Sequence, residues 1–68
     1  MNVTAVLTPA PEGGYTAYNP ETGTVSQGDT LEGSLESLRE AVGLYLEEFP
    51  LTPEGAAFVT TISIAERA

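Results

Sequence analysis

Apolar and polar positions alternate at the start of the chain, switch to helical spacing in the middle, and alternate again near the end. In residues 2–8, Val3, Ala5 and Leu7 alternate with Asn2, Thr4, Val6 and Thr8, the period of a strand. The cluster Pro9-Ala10-Pro11-Glu12-Gly13-Gly14 stops it, since proline and glycine punctuate strands. Tyr15-Thr16-Ala17-Tyr18 reads as a second strand, closed by Asn19-Pro20. Glu21-Thr22-Gly23 is a turn, and Thr24, Val25 and Ser26 make a short third strand before Gly28. Three strands with short connections predict an antiparallel meander.

From Leu31 the spacing changes. Leu31, Leu35, Leu38, Val42, Tyr45, Leu46 and Phe49 recur at steps of three and four, one face of an amphipathic helix. Glu32, Glu36, Arg39, Glu40, Glu47 and Glu48 fill the other face. Asp29 or Thr30 can accept the free N–H groups of the first turn. Pro50 ends the helix and Pro53 prolongs the break. The last apolar segment, residues 57–65, puts Phe58, Thr60, Ile62 and Ile64 on one side and Val59, Thr61, Ser63 and Ala65 on the other, a strand with an apolar face. The predicted order is β-β-β-α-β. This is one α+β domain over residues 1–68, a four-stranded, mainly antiparallel sheet with one long helix packed on one face.

Size and charge narrow the function. A chain of 68 residues holds one domain and buries only about 60% of its unfolded surface. Leu, Ile, Val and Phe supply 16 residues of it, above the roughly 20% below which chains of high charge stay disordered. With so thin a core, a homo-oligomer is the expected remedy, because the chain has no cysteine for a disulfide. The absence of histidine removes the commonest general base and metal ligand. Ten acids against two arginines, Arg39 and Arg67, give a net charge of −8. That charge repels phosphate backbones and anionic lipid, so direct nucleic-acid or membrane binding is not expected and a basic partner is. No segment reaches the roughly 18 apolar residues of a membrane span. The N-terminus lacks the basic start and apolar stretch of a signal peptide, so the expected location is cytoplasmic.

Catalytic equipment is sparse. Asp29 is the sole aspartate, and the strands carry almost none of the converging carboxylates that a two-metal nuclease needs. Ser26, Ser34, Ser37 and Ser63 have no histidine or lysine to activate them. Gly13-Gly14 precedes a strand, so it is a turn and not a phosphate loop. No catalytic residue, cofactor or metal site is therefore assigned, and a metal-dependent nuclease is the weakest reading. Tyr15 and Tyr18 fall on opposite faces of their strand, one for the core and one for contact. Tyr45 is placed in the core.

The run Gly14-Tyr15-Thr16-Ala17-Tyr18-Asn19-Pro20, then Gly23, then Val25-Ser26-Gln27-Gly28-Asp29-Thr30-Leu31-Glu32, resembles the HicB-type antitoxin domain. The likeness continues through Leu35, Glu40, Ala41, Val42, Leu44, Tyr45 and Leu46 and covers roughly residues 3 to 49. Thr22-Gly23-Thr24 stands where the family usually has Pro-Gly-Cys, and Gly33-Ser34 replaces the usual Glu-Ala. The resemblance implies a partial ribonuclease H-like fold without nuclease carboxylates. It implies a non-catalytic module that sequesters a small basic HicA-type toxin, an mRNA-cleaving protein, and that forms dimers or larger assemblies. Many members continue into a DNA-binding domain; this sequence reads as a stand-alone HicB-like domain without operator binding. The alternative is a homo-oligomeric structural or regulatory domain of the same fold with no toxin.

Gly14, Tyr15, Pro20, Gly23, Ser26, Gly28, Asp29 and Thr30 are expected to make the fold: Pro20 and Gly23 set a turn, Gly28 the strand-to-helix corner, Asp29 and Thr30 the helix start. Tyr18, Glu36, Glu40, Glu47, Phe58 and Ile62 are the candidate partner contacts. For self-association, the C-terminal strand and the first strand are the expected edges, because Pro20 and its shortness spoil the third. The helix around Gly43 and Leu44 is a second candidate surface.

Overall fold

A computed structural model of the chain describes residues 1–51, 55 and 57–66. The elements are β1 (Val6–Pro9), β2 (Tyr15–Asn19), β3 (Thr24–Gly28) and α1 (Leu31–Glu48). The strands form an antiparallel sheet in the order β1-β2-β3. Leu7 pairs with Ala17 and Ala17 with Ser26, while Val6 pairs with Tyr18 and Tyr18 with Val25. Alternation then sends the first row toward α1 and the second to the opposite face.

The turns follow the local chemistry. Ala10 N–H donates to the Gly14 carbonyl at 3.0 Å, and Gly13 N–H to the Ala10 carbonyl at 3.1 Å, which closes the first hairpin. Gly23 N–H donates to the Asn19 carbonyl at 2.8 Å in the second. Gly23 sits there at φ 77°, a region that favours glycine because no Cβ collides. The corner into the helix works differently. A Cβ on Gly28 would run into the Ser34 backbone nitrogen and meet Gly33 C at 2.8 Å. Gly28 is therefore required by close approach of the helix's first turn. Gly14 lies against the Gly28 carbonyl in the same way.

Thr30 is the N-cap; its hydroxyl accepts from Gly33 N–H at 2.9 Å. Asp29 lies outside the cap and is exposed. Ser34 is fully buried, with its hydroxyl donating to the Leu31 carbonyl at 2.9 Å. The helix ends at Phe49, whose N–H reaches the Tyr45 carbonyl at 2.8 Å, and Pro50 follows. The break assigned to Pro53 falls outside the described residues.

The core is small: Ala17, Leu38 and Val42 are buried, with Val3, Leu7 and Leu46 packed around them. The predicted helical stripe is thus covered only along Leu38, Val42 and Leu46. Leu31, Leu35, Tyr45 and Phe49 remain exposed. The cause is the seat of the helix, which lies over β3 and β2 and barely touches β1. Tyr45, expected in the core, instead stacks on Phe49 with ring centroids 5.1 Å apart.

Two expectations need correction. The first strand begins at Val6 and not at residue 2, because its partner β2 ends at Asn19 and the chain then turns away. The fourth strand, residues 57–65, is in no ladder, so among the described residues the sheet has three strands and not four. A strand exists only through a neighbour's N–H and C=O groups. Here Ala57 is held by side chains, and residues 58–66 beyond it are exposed and touch no edge of this sheet. The chain is accordingly elongated, with a radius of gyration of 14.1 Å against about 11 Å for a compact domain of this length.

Candidate protein-interaction surface

Three surfaces and one internal fastening decide what this fold can bind. The fastening comes first because it positions the rest. Asn19, at the end of β2, is fully buried. Its amide nitrogen donates to the Thr4 carbonyl and to Glu21 Oε1, both at 2.7 Å. Its Oδ1 accepts from Thr22 N–H at 2.9 Å and from the Thr22 hydroxyl at 2.6 Å. Glu21 in turn takes Thr4 N–H on Oε1 at 2.8 Å and the Thr4 hydroxyl on Oε2 at 2.7 Å. The Thr4 hydroxyl oxygen accepts from Ala57 N–H at 2.7 Å. The lead-in to β1, the β2–β3 turn and the root of the C-terminal segment are therefore tied at one point.

This arrangement stabilises the ionised carboxylate of Glu21. The Thr4 hydroxyl is the largest cause, followed by Thr4 N–H, with Ala57 N–H adding to it. Together, against a smaller opposing push from burial, they bring its pKa from the ordinary 4.5 to about 2. Among the described residues every buried side-chain nitrogen and oxygen has a hydrogen-bond partner, so the fastening carries no group left over for a ligand.

The first surface is the acidic face of α1. Glu32, Glu36, Glu40, Glu47 and Glu48 are all exposed. Arg39 bridges to Glu36 at 3.2 Å, with both side chains well exposed. Such a surface pair contributes little to stability. It removes one charge from a face that remains strongly negative. No basic residue offsets Glu47 and Glu48 in the last turn, where the helix dipole disfavours them.

The second surface is the sheet face away from the helix. Tyr18 stands there at 40% exposure, between Val6 and Val25 in the cross-strand register. The split of the two tyrosines is as the alternation predicts. Tyr15 turns to the other side, half-buried, and lines a shallow cleft of about 230 Å³ with Gln27, Gly28 and Asp29.

The third surface is apolar and in two parts. Phe58, Ile62 and Ile64 are exposed to 98%, 78% and 72%. Separately, a groove of about 470 Å³ lies between residues 1–5 and the β1-facing side of α1. Val3, Ala5, Leu35, Leu38, Val42 and Leu46 form its apolar walls. Gly43 lines it too, with nothing near the position a Cβ would take. Leu44 points elsewhere and is 66% exposed.

The structure does not bring the six candidate contact residues into one patch. Glu36, Glu40 and Glu47 share the helix, Tyr18 lies on the far face of the sheet, and Phe58 and Ile62 are on the tail. Pro20, Gly23, Ser26, Gly28 and Thr30 occupy turn, strand and cap positions. Sequence reasoning missed Thr4, Asn19 and Glu21 as a unit. The one available signal was an asparagine and a glutamate flanking the proline of a turn, which marks a turn but names no distant partner. Among the described residues, no three acidic side chains converge to hold a metal ion, and no helix is long and apolar enough to cross a membrane. The sequence matches no protein-family model, and neither a curated protein nor a solved structure matches it.

Proposed function

We propose that the chain is a non-catalytic, HicB-like protein-binding module that sequesters a small basic partner, an mRNA-cleaving toxin of the HicA type, in the cytoplasm. The observation that carries the reading is the exposed row of glutamates on α1, in a chain of net charge −8. Complementary charge speeds encounter and fixes register with a basic protein. The sequence motif supports it at the level of fold: Gly28, Thr30 and Gly23 make the corner, the cap and the turn. The reading also takes the architecture as partial ribonuclease H-like, with residues 57–65 becoming a fourth strand when an edge is offered.

The test is affinity capture from host lysate at low and high salt, followed by an RNA-cleavage assay on what is retained. The expected result is a small basic protein, released at high salt, whose cleavage of mRNA is titrated away by the chain. Charge reversal at Glu36, Glu40 and Glu47 should weaken capture and make it less salt-sensitive. Recovery of the chain alone sinks the toxin reading. A second reading, a self-associating domain without a toxin, is favoured by the exposed apolar tail and the open groove. Recovery as a defined homo-oligomer with no second protein would select it.

A further inference from the structure

Among the described residues nothing pairs with the outer edge of β1, and residues 57–65, which alternate like a strand, pair with nothing. We propose that two copies of this chain exchange their C-terminal segments. In the exchange, residues 58–65 of one copy run along the open edge at residues 1–9 of the other and set Ile62 and Ile64 into its groove.

Four observations select a second copy as the occupant. The first is fit. From Leu35 to Leu46 the groove runs along α1 for about 16 Å, the span of about five strand residues. Five residues seat three alternate side chains, here Thr60, Ile62 and Ile64, with Phe58 just beyond the groove's end. The groove's sheet-side wall is residues 1–5, the lead-in to β1; a strand added along that lead-in can pair with its backbone while one face meets the groove.

The second is that the chain does not fill its own groove. Among the described residues, none of 57–66 lines it, all of them are exposed, and the molecule extends to 49 Å in its longest dimension. Ala57 is fastened to Thr4. From that point a nine-residue extended tail reaches about 30 Å, beyond the body it is rooted in.

The third is charge. Two chains of −8 repel at their glutamate-bearing helices, but residues 57–65 hold no charged residue. The groove itself has Arg39 as its charged wall residue. Association through tail and groove keeps the acidic faces apart and leaves them open, so this proposal holds whether or not a basic partner exists.

The fourth is closure. Reciprocal exchange uses both tails and both grooves and ends at a two-fold dimer.

The test uses the purified full-length chain alone. Light scattering should give twice the 7.1 kDa of one chain. A 1:1 mixture of isotope-labelled and unlabelled protein should show inter-chain methyl contacts from Ile62 or Ile64 to Leu35, Val42 or Leu46. The double variant Ile62→Asp with Ile64→Asp should halve the mass while its far-ultraviolet helical signal persists. If that variant loses the helical signal, the isotope-filtered contacts on the unmodified chain decide alone. A single-chain mass overturns the proposal. So do tail-to-groove contacts found only within one chain, and so does a dimer that survives the double substitution.

Discussion

At β3 the helix rests backbone against backbone, with Gly28 beneath Gly33 and Ser34. At β1 the same helix stands off, and Leu35, Val42 and Leu46 look into a groove. One helix over one sheet therefore gives a closed flank and an open flank. The closed flank is set by the absence of a side chain at one position, which lets a turn of helix descend onto the strand. The open flank is where, among the described residues, no strand pairs beyond β1. Its loose end, residues 1–5, is held by the polar side chains around Thr4 and by Val3 packing at the core's rim. In a domain this small, the first arrangement makes the fold and the second leaves surface for assembly.

The contrast can be broken most severely at Gly28. Gly28→Ala puts a methyl group against the Gly33–Ser34 backbone, which cannot swing aside. Overpacking of this kind should cost roughly 3 kcal/mol, a large share of the roughly 5 kcal/mol that a small domain has. Thermal unfolding followed by circular dichroism checks this; an unchanged midpoint would mean that the helix does not sit where the glycine requires it.

The next effect is at the polar fastening of the open flank. Asn19→Ala leaves Thr4 and Thr22 groups without partners and should cost roughly 2 kcal/mol, read by urea denaturation. The same cluster titrates. Glu21 has its folded-state pKa lowered from 4.5 to about 2. Its contribution is therefore complete above about pH 4.5 and is lost as pH falls toward 2. Glu21→Gln should flatten the acid side of the stability profile in that window. An equally steep acid limb in the variant would assign the limb to other carboxylates.

Sequence reasoning reached the closed flank and only half of the open one. The helix from Leu31 to Glu48 and both hairpins were legible because their signals are local: a 3.6-residue period, a capping threonine, turn prolines and glycines. Gly28 was legible as a special position, but its reason is contact with residues five and six positions later, which composition alone does not reveal. The seven-residue apolar stripe was legible, yet only Leu38, Val42 and Leu46 of it are covered. Period shows which residues seek burial and not whether the chain supplies the cover. The tail shows the same limit: alternation in residues 57–65 announces a strand without naming its edge. The Thr4–Asn19–Glu21 network was illegible, because bonds between residues 15 and 17 apart leave no periodic trace.

A smaller change of opposite sign sharpens the contrast. Gly43 has open space where Gly28 has none. In the Ile62→Asp, Ile64→Asp background, whose groove is empty, Gly43→Ala should raise stability by about 1 kcal/mol through helix propensity. The melting midpoint, measured at fixed protein concentration, checks it. A loss of stability would show that something already occupies the groove in solution. The smallest effect belongs to the acidic face. Glu36→Gln removes the pair with Arg39 and should change stability by only about 0.3 kcal/mol. A change above about 1 kcal/mol in a denaturation series would show that the face is structural and not free for a partner.

The bond between Ala57 and Thr4 has a consequence in time as well as in space. Each hairpin, and the docking of the helix on β3, joins stretches close in sequence, and local contacts form fast. The Ala57–Thr4 bond spans 53 residues, so closing it carries the larger loop entropy. The expected refolding trace has a rapid phase independent of protein concentration, when the body forms. A slower phase, also independent of concentration, follows as the Ala57–Thr4 bond closes, and a last phase, when the tail docks on a second copy, quickens as the concentration rises. A single concentration-independent phase in stopped-flow refolding would rule out that order.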